Sequence, residues 1–235
     1  DAWGLDLATL RSVLGIFLTG DDIRVLVPAI VYRMTRCEPA DVEAIGNLLT
    51  LFFGGEPELS YYDTLGSDSL FYNVTRSELW PNDEPDHAAI AAEQATLYVS
   101  TGLTPEIAAT TWPAYPDDAY VGAWAETDVP LLLLNGDLDP QTPLASARAM
   151  EAHFAGPHQH FVVVPRAAHG VSVNTPVPSA DALPCGLSLL VDFFTDPTAA
   201  PDRACLDEIP AETFVGDPGL ATFVFGVEDL WDNPR

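Results

Sequence analysis

Apolar positions in the first quarter of the chain recur every three or four residues. Leu7, Leu10, Leu14 and Phe17 make one stripe, and Val42, Ile45, Leu48 and Leu49 make another, the spacing of helices with one buried face. Thr19-Gly20-Asp21-Asp22 stops the first helix and caps the next. The second, over 22–36, contains Pro28, whose ring predicts a kink. The third begins near Pro39 and stops at Gly54-Gly55. Residues 56–68, with Tyr61-Tyr62 inside, read as loop, and Ser69 to Thr75 predicts a short strand leading to Arg76-Ser77-Glu78-Leu79-Trp80. The Ala-rich run from His87 to Ser100 predicts a helix capped by Asp86, and Thr104-Pro105-Glu106 opens a shorter one. Trp112-Pro113-Ala114-Tyr115-Pro116 is a rigid turn whose aromatics suit packing or the lining of a substrate pocket.

The pattern then changes. Leu131 to Leu134 are consecutive, so both faces of the pleat are apolar, as in a strand covered on both sides. Asn135-Gly136 ends it. Thr142 suits an N-cap and Pro143 a first helical residue, and Leu144, Ala147, Met150 and Phe154 follow at helical spacing. A second apolar run, Phe161 to Val164, breaks into Pro165-Arg166-Ala167-Ala168-His169-Gly170. Strand, helix, strand on this scale is a crossover unit, so the two strands should be parallel neighbours. Beyond His169, Cys185 to Phe194 predicts an amphipathic helix covering one sheet face, and 206–235 is an acidic tail with a strand-like run at Thr222 to Phe225.

Parallel neighbours open their following loops at the same sheet edge, where open α/β sheets place ligands. That brings Asp137 or Asp139 near His169. Acid before histidine matches the last two members of the Ser…Asp…His order of α/β-hydrolases. A carboxylate accepting from one imidazole nitrogen fixes the tautomer and leaves the other free to take a proton from a nucleophile.

Composition narrows the partners. The formal charge is −26, and all nine basic residues are Arg. Such a chain repels nucleic-acid phosphates and an anionic membrane surface. No apolar run approaches the roughly 20 residues of a membrane-spanning helix. Three cysteines without a Cys-x-x-Cys or Cys/His cluster give no zinc site, so neither metal nor cofactor is expected.

Gly136-Asp137-Leu138-Asp139-Pro140-Gln141-Thr142-Pro143, followed by Ala167-Ala168-His169-Gly170, resembles the C-terminal half of α/β-hydrolase peptidases of the tripeptidyl aminopeptidase-like and proline iminopeptidase-like group. Ser77-Glu78-Leu79-Trp80 and the cysteines flanking the helix after the histidine agree with it, and the resemblance spans roughly residues 70–206. It implies that Asp139, the residue before Pro140, is the acid and that Asp137 is the reserve. It implies a Cys185–Cys205 disulfide, and a role for Glu78 in facing the cationic amino group of a peptide. Residues 1–126 become a mostly helical cap, 127–205 the part of the core carrying acid and histidine, and 206–235 a tail on which the family is silent. An extracellular or periplasmic location follows from the same resemblance.

The nucleophile is missing. No Gly-x-Ser-x-Gly elbow occurs in the sequence, and Gly170-Val171-Ser172-Val173-Asn174 lacks the second Gly and follows the histidine instead of a strand. The expectation is therefore the C-terminal part of a serine hydrolase, an exopeptidase acting on free N-termini. Its first strands and serine would lie upstream or on a complementary chain, and Asp1 would be a processing site or fragment boundary. The alternatives are a binding protein of the same fold without catalysis, and a carboxylic ester hydrolase.

Overall fold

The computed structural model describes residues 5–54, 67–80, 87–100 and 112–232. By packing, the chain divides into two units. The first gathers residues 1–15, 37–124 and 224–226; the second gathers 16–36, 125–223 and 227–235.

Helix α1 spans Leu7–Phe17, α2 Val27–Arg36 and α3 Pro39–Phe53. In the first unit α3 starts where Pro39 occupies a position that needs no N–H, and the Glu38 N–H donates to Asp41 at 3.0 Å. Ala44, Ile45 and Leu48 are its buried face. The predicted strand at Ser69 to Thr75 is instead helix α4, Asp68–Val74, continued by a π-helical turn over Thr75–Leu79. Ser67 decides this locally, because its hydroxyl accepts from Leu70 N–H at 3.2 Å and caps the first turn. Tyr72 then stacks on Trp112 with ring centroids 5.8 Å apart, a packing use for the aromatic turn. Helix α5, His87–Gln94, stops earlier than its Ala-rich run suggested. Tyr61-Tyr62, Asp86 and Thr104-Pro105-Glu106 lie outside the described residues.

The leucine run of the second unit forms strand β1, Leu131–Gly136. Strand β2, Gln159–Val164, pairs with it in parallel, Leu132 opposite His160 and Leu134 opposite Val162. Helix α6, Leu144–His153, connects them, and the Arg148 guanidinium sits over the Phe161 ring at 5.4 Å on one face. On the opposite face Val162 and Val164 pack with Leu189 of helix α7, Cys185–Thr195, with Leu132 and Leu134 alongside. This is an α/β arrangement with helices on both faces. Among the described residues the sheet has only these two strands, fewer than so apolar a centre predicts. Leu131 to Leu134 are accordingly only half-buried. Leu131 and Asp137 donate toward β2, so the alternation turns the main-chain groups of Leu132 and Leu134 to the open edge.

Pro28 lies in the first turn of α2, after a separate 3₁₀ turn at Arg24–Leu26, so it starts a helix and kinks none. Helix α8, Cys205–Glu208, is joined to α7 by the Cys185–Cys205 disulfide across 20 residues of chain. Closing a loop of that length stabilises the fold by about 3 kcal/mol in the chain-entropy account. The strand-like run at Thr222 to Phe225 falls within helix α9, Pro218–Phe225. Arg33 fastens the end of the tail to α2: the residue is fully buried, and its Nε and Nη2 donate to the carbonyls of Leu230 at 2.7 Å and Asp229 at 2.8 Å. Arg36 adds a 3.3 Å ion pair to Asp232. Among the described residues no helix is long and apolar enough to cross a membrane.

Candidate active site

The penultimate residue of strand β1 is Asn135, a buried amide whose Nδ2 donates to the carbonyls of Gly136 at 2.8 Å and Thr142 at 3.2 Å. The loop between is thereby folded back on itself. Within it Asp139 organises its own turn. Its Oδ1 accepts the N–H groups of Gln141 at 2.8 Å and Thr142 at 2.9 Å, and its Oδ2 accepts the Thr142 hydroxyl at 2.6 Å. Thr142, read from sequence as a helix cap, caps the acid instead; Pro143 holds the N-cap position of α6.

The histidine loop is tied to this one by main chain. Asp137 N–H donates to Val164 at 3.2 Å and Leu138 N–H to Ala167 at 3.1 Å. Gly136 permits that approach, since a Cβ there would collide with the Ala167 carbonyl. Asp137 also accepts the N–H of Arg166 at 2.6 Å, which holds Arg166 in its left-handed conformation at φ 59°. His169 N–H donates to Thr19 at 3.1 Å. Asn174 brackets the residue: its Nδ2 donates to the His169 carbonyl and its own carbonyl accepts Ala168 N–H. Gly170, at φ +73°, turns the chain away.

The two sequence candidates for the acid therefore part company. Asp139 Oδ2 lies 3.0 Å from His169 Nδ1, with Oδ1 at 3.3 Å, whereas Asp137 is spent on the Arg166 main chain. The Asp139 side chain is 4% exposed and that of His169 44%. Burial by itself would raise the Asp139 carboxyl, but hydrogen bonds from the Thr142 hydroxyl, the Thr142 and Gln141 N–H groups and His169 outweigh it and hold it below its ordinary value. With Nδ1 on the carboxylate, Nε2 has no partner among the described residues. The ring lines an open recess of about 330 Å³ with Leu132, Leu134, Thr142, Ser172 and Leu190. The pairing can hold one tautomer and present Nε2 as a base.

Because the folded-state value of Asp139 is depressed, its contribution to stability is complete above the unfolded value of about 3.9 and is lost as the pH falls below it. Denaturant unfolding at pH values from about 5 to 2.5 should show a smaller acid loss for Asp139→Asn than for the natural chain. Equal slopes would mean that the carboxylate gains nothing from its neighbours.

Glu78 lies in the first unit, and Asp139 and His169 in the second. It is an exposed residue of the π-helical turn. Its carboxylate accepts the Tyr115 hydroxyl and lines a recess of about 230 Å³ with Tyr115, Asp118 and Tyr120. Cys185 and Cys205 form the disulfide. Among the described residues no group of three or more His, Cys, Asp or Glu side chains could hold a metal.

Sequence reading missed the supports of the histidine loop. Arg24, buried, donates to the Arg166 carbonyl and pairs with Glu212 of the tail, while Arg166 itself donates to the Ile209 carbonyl. Asp-x-x-Thr after a strand was the one available signal, for Thr142. The others act on main-chain carbonyls far away in sequence, which no motif records.

Residues 82–205, just over half of the chain, match the model of a family described as TAP-like protein. No curated protein and no solved structure matches the chain.

Proposed function

Because the chain belongs to the TAP-like family of α/β-hydrolases, we propose that it supplies the acid and base of a serine hydrolase that removes residues or short peptides from free N-termini. The supporting observation is the 3.0 Å bond from His169 Nδ1 to a buried Asp139, with Nε2 open to a recess. In this reading Nε2 takes the proton of a serine hydroxyl as its oxygen attacks the scissile carbonyl. The resulting imidazolium, held by Asp139, gives that proton to the departing amine, and water repeats the cycle on the acyl-enzyme.

The serine lies on a segment outside these 235 residues, preceding in the same protein or on a complementary chain, and needs no metal or cofactor. The open edge of β1, with its half-buried leucines, is where such a segment adds a strand and covers the sheet. Residues 1–126 act as a cap, in which Glu78 receives the substrate's ammonium group. The disulfide and the acidic composition suit an extracellular or periplasmic location.

The test uses the native polypeptide that carries the nucleophile. It should label with a fluorophosphonate probe and cleave peptides with a free N-terminus, and acetylating that terminus should stop cleavage. Turnover of carboxylic esters alone would move the substrate class to esters. A folded protein that neither labels nor hydrolyses would make the fold a binding module.

A further inference from the structure

The first unit contains a second cavity, independent of the histidine recess and of the hydrolase reading. It measures about 480 Å³ and is lined by the early turns of α1 and the end of α5, within the roughly 300–1,000 Å³ of small-molecule sites. Ala8, Ala91 and Ala95 give it methyl walls, and Arg11, Gln94 and Ser100 give it polar ones.

Two of the polar groups, Arg11 and the Gln94 amide, are donors. Arg11 is half-buried, and among the described residues its guanidinium has no hydrogen-bond or ion-pair partner. The other described arginine without such a partner, Arg203, is exposed, although 35 acids face nine arginines in this chain. Arg24, Arg36 and Arg148 each pair with a carboxylate, and Arg33 and Arg166 reach main-chain carbonyls. The Gln94 amide is oriented by Ser100, whose hydroxyl donates to its Oε1, so its NH₂ is left to donate. The Ser12 hydroxyl, also in the lining, is already committed to the Ala8 carbonyl at 3.2 Å. A half-desolvated guanidinium beside an amide donor, with methyl groups around them, is the complement of one carboxylate on an aliphatic body.

We propose that this cavity binds a small aliphatic monocarboxylate. The carboxylate rests on Arg11 and the Gln94 amide, and the aliphatic part lies against Ala8, Ala91 and Ala95. A free short-chain acid and the C-terminal residue of a peptide present the same chemistry.

Isothermal titration of the whole protein with hexanoate and with N-acetyl-leucine separates those sources, with hexanamide and hexylamine as controls. At least one carboxylate should saturate with a Kd of about millimolar or tighter, and the tighter of the two identifies the source. Arg11→Gln should weaken it at least roughly tenfold and leave hexanamide unchanged. Ala91→Leu, which fills the cavity from an exposed helix position, should weaken both. If Arg11→Gln loses its circular-dichroism signature of folding, Arg11→Lys and Gln94→Ala replace it, each with a smaller loss for carboxylates only. Absence of saturable binding by both carboxylates, equal binding to the Arg11→Gln chain, or equally tight hexylamine would overturn the assignment.

Discussion

His169→Ala is expected to leave the nucleophile-bearing enzyme unlabelled by a fluorophosphonate, and Asp139→Asn to slow its turnover by about four orders of magnitude. The second effect follows from the hydrogen-bond pattern of the acid loop. Two main-chain N–H groups, of Gln141 and Thr142, point at Oδ1, and neither can become an acceptor. An asparagine must therefore keep its oxygen there and place its NH₂ where Oδ2 now stands, 3.0 Å from His169 Nδ1. That amide donates to Nδ1, forces the proton onto Nε2, and removes the lone pair that would accept the serine proton. The geometry survives while the tautomer is wrong. Nitrogen chemical shifts of His169 report the tautomer without any need for activity, and they should exchange the protonated and bare positions. Turnover within about tenfold of the natural enzyme, or an unchanged tautomer, would remove Asp139 from its assigned role.

Arg33→Met should destabilise the protein by about 2–4 kcal/mol, lowering the melting temperature by roughly 10 °C for a domain of this size. Arg33 is the largest fully buried side chain among the described residues. Its planar fork serves two successive carbonyls, of Asp229 and Leu230; methionine leaves the buried Leu230 carbonyl without that donor, while Asp229 keeps the N–H of Asp232. Arg33→Lys keeps the charge but offers one compact donor centre in place of a fork, so it should recover only part of the loss. A methionine variant within about 1 kcal/mol of the natural chain would show that these carbonyls find other donors.

The centre of the second unit was legible in sequence because its signals are local. Four successive leucines, a Gly, and a helix opening after Thr142-Pro143 define β1 and α6 without knowledge of the rest. Parallel pairing then brings the two following loops together. The choice between Asp137 and Asp139 was less local. Alternation along the chain separates them by one turn of loop, and only the resemblance, through Pro140, favoured the residue that the structure sets beside His169. Ser69 to Thr75 misled because its aromatic residues suit a strand as well as a helix, and the deciding group, the Ser67 hydroxyl, stands outside the run. Arg24 and Arg33 were invisible for a different reason. Their carbonyl partners lie 142 and 197 residues away, and a carbonyl looks the same at every position of a sequence.

The tail that carries Ile209 and Glu212 bears on how the protein can be handled. Through Arg24 and Arg166 those two residues brace the stretch of main chain three residues ahead of the imidazole. Removing the residues after Cys205 would expose a buried guanidinium and let that stretch drift, although every residue of the acid–base pair would still be present. Affinity tags, fusion partners and truncations should therefore spare residues 206–232.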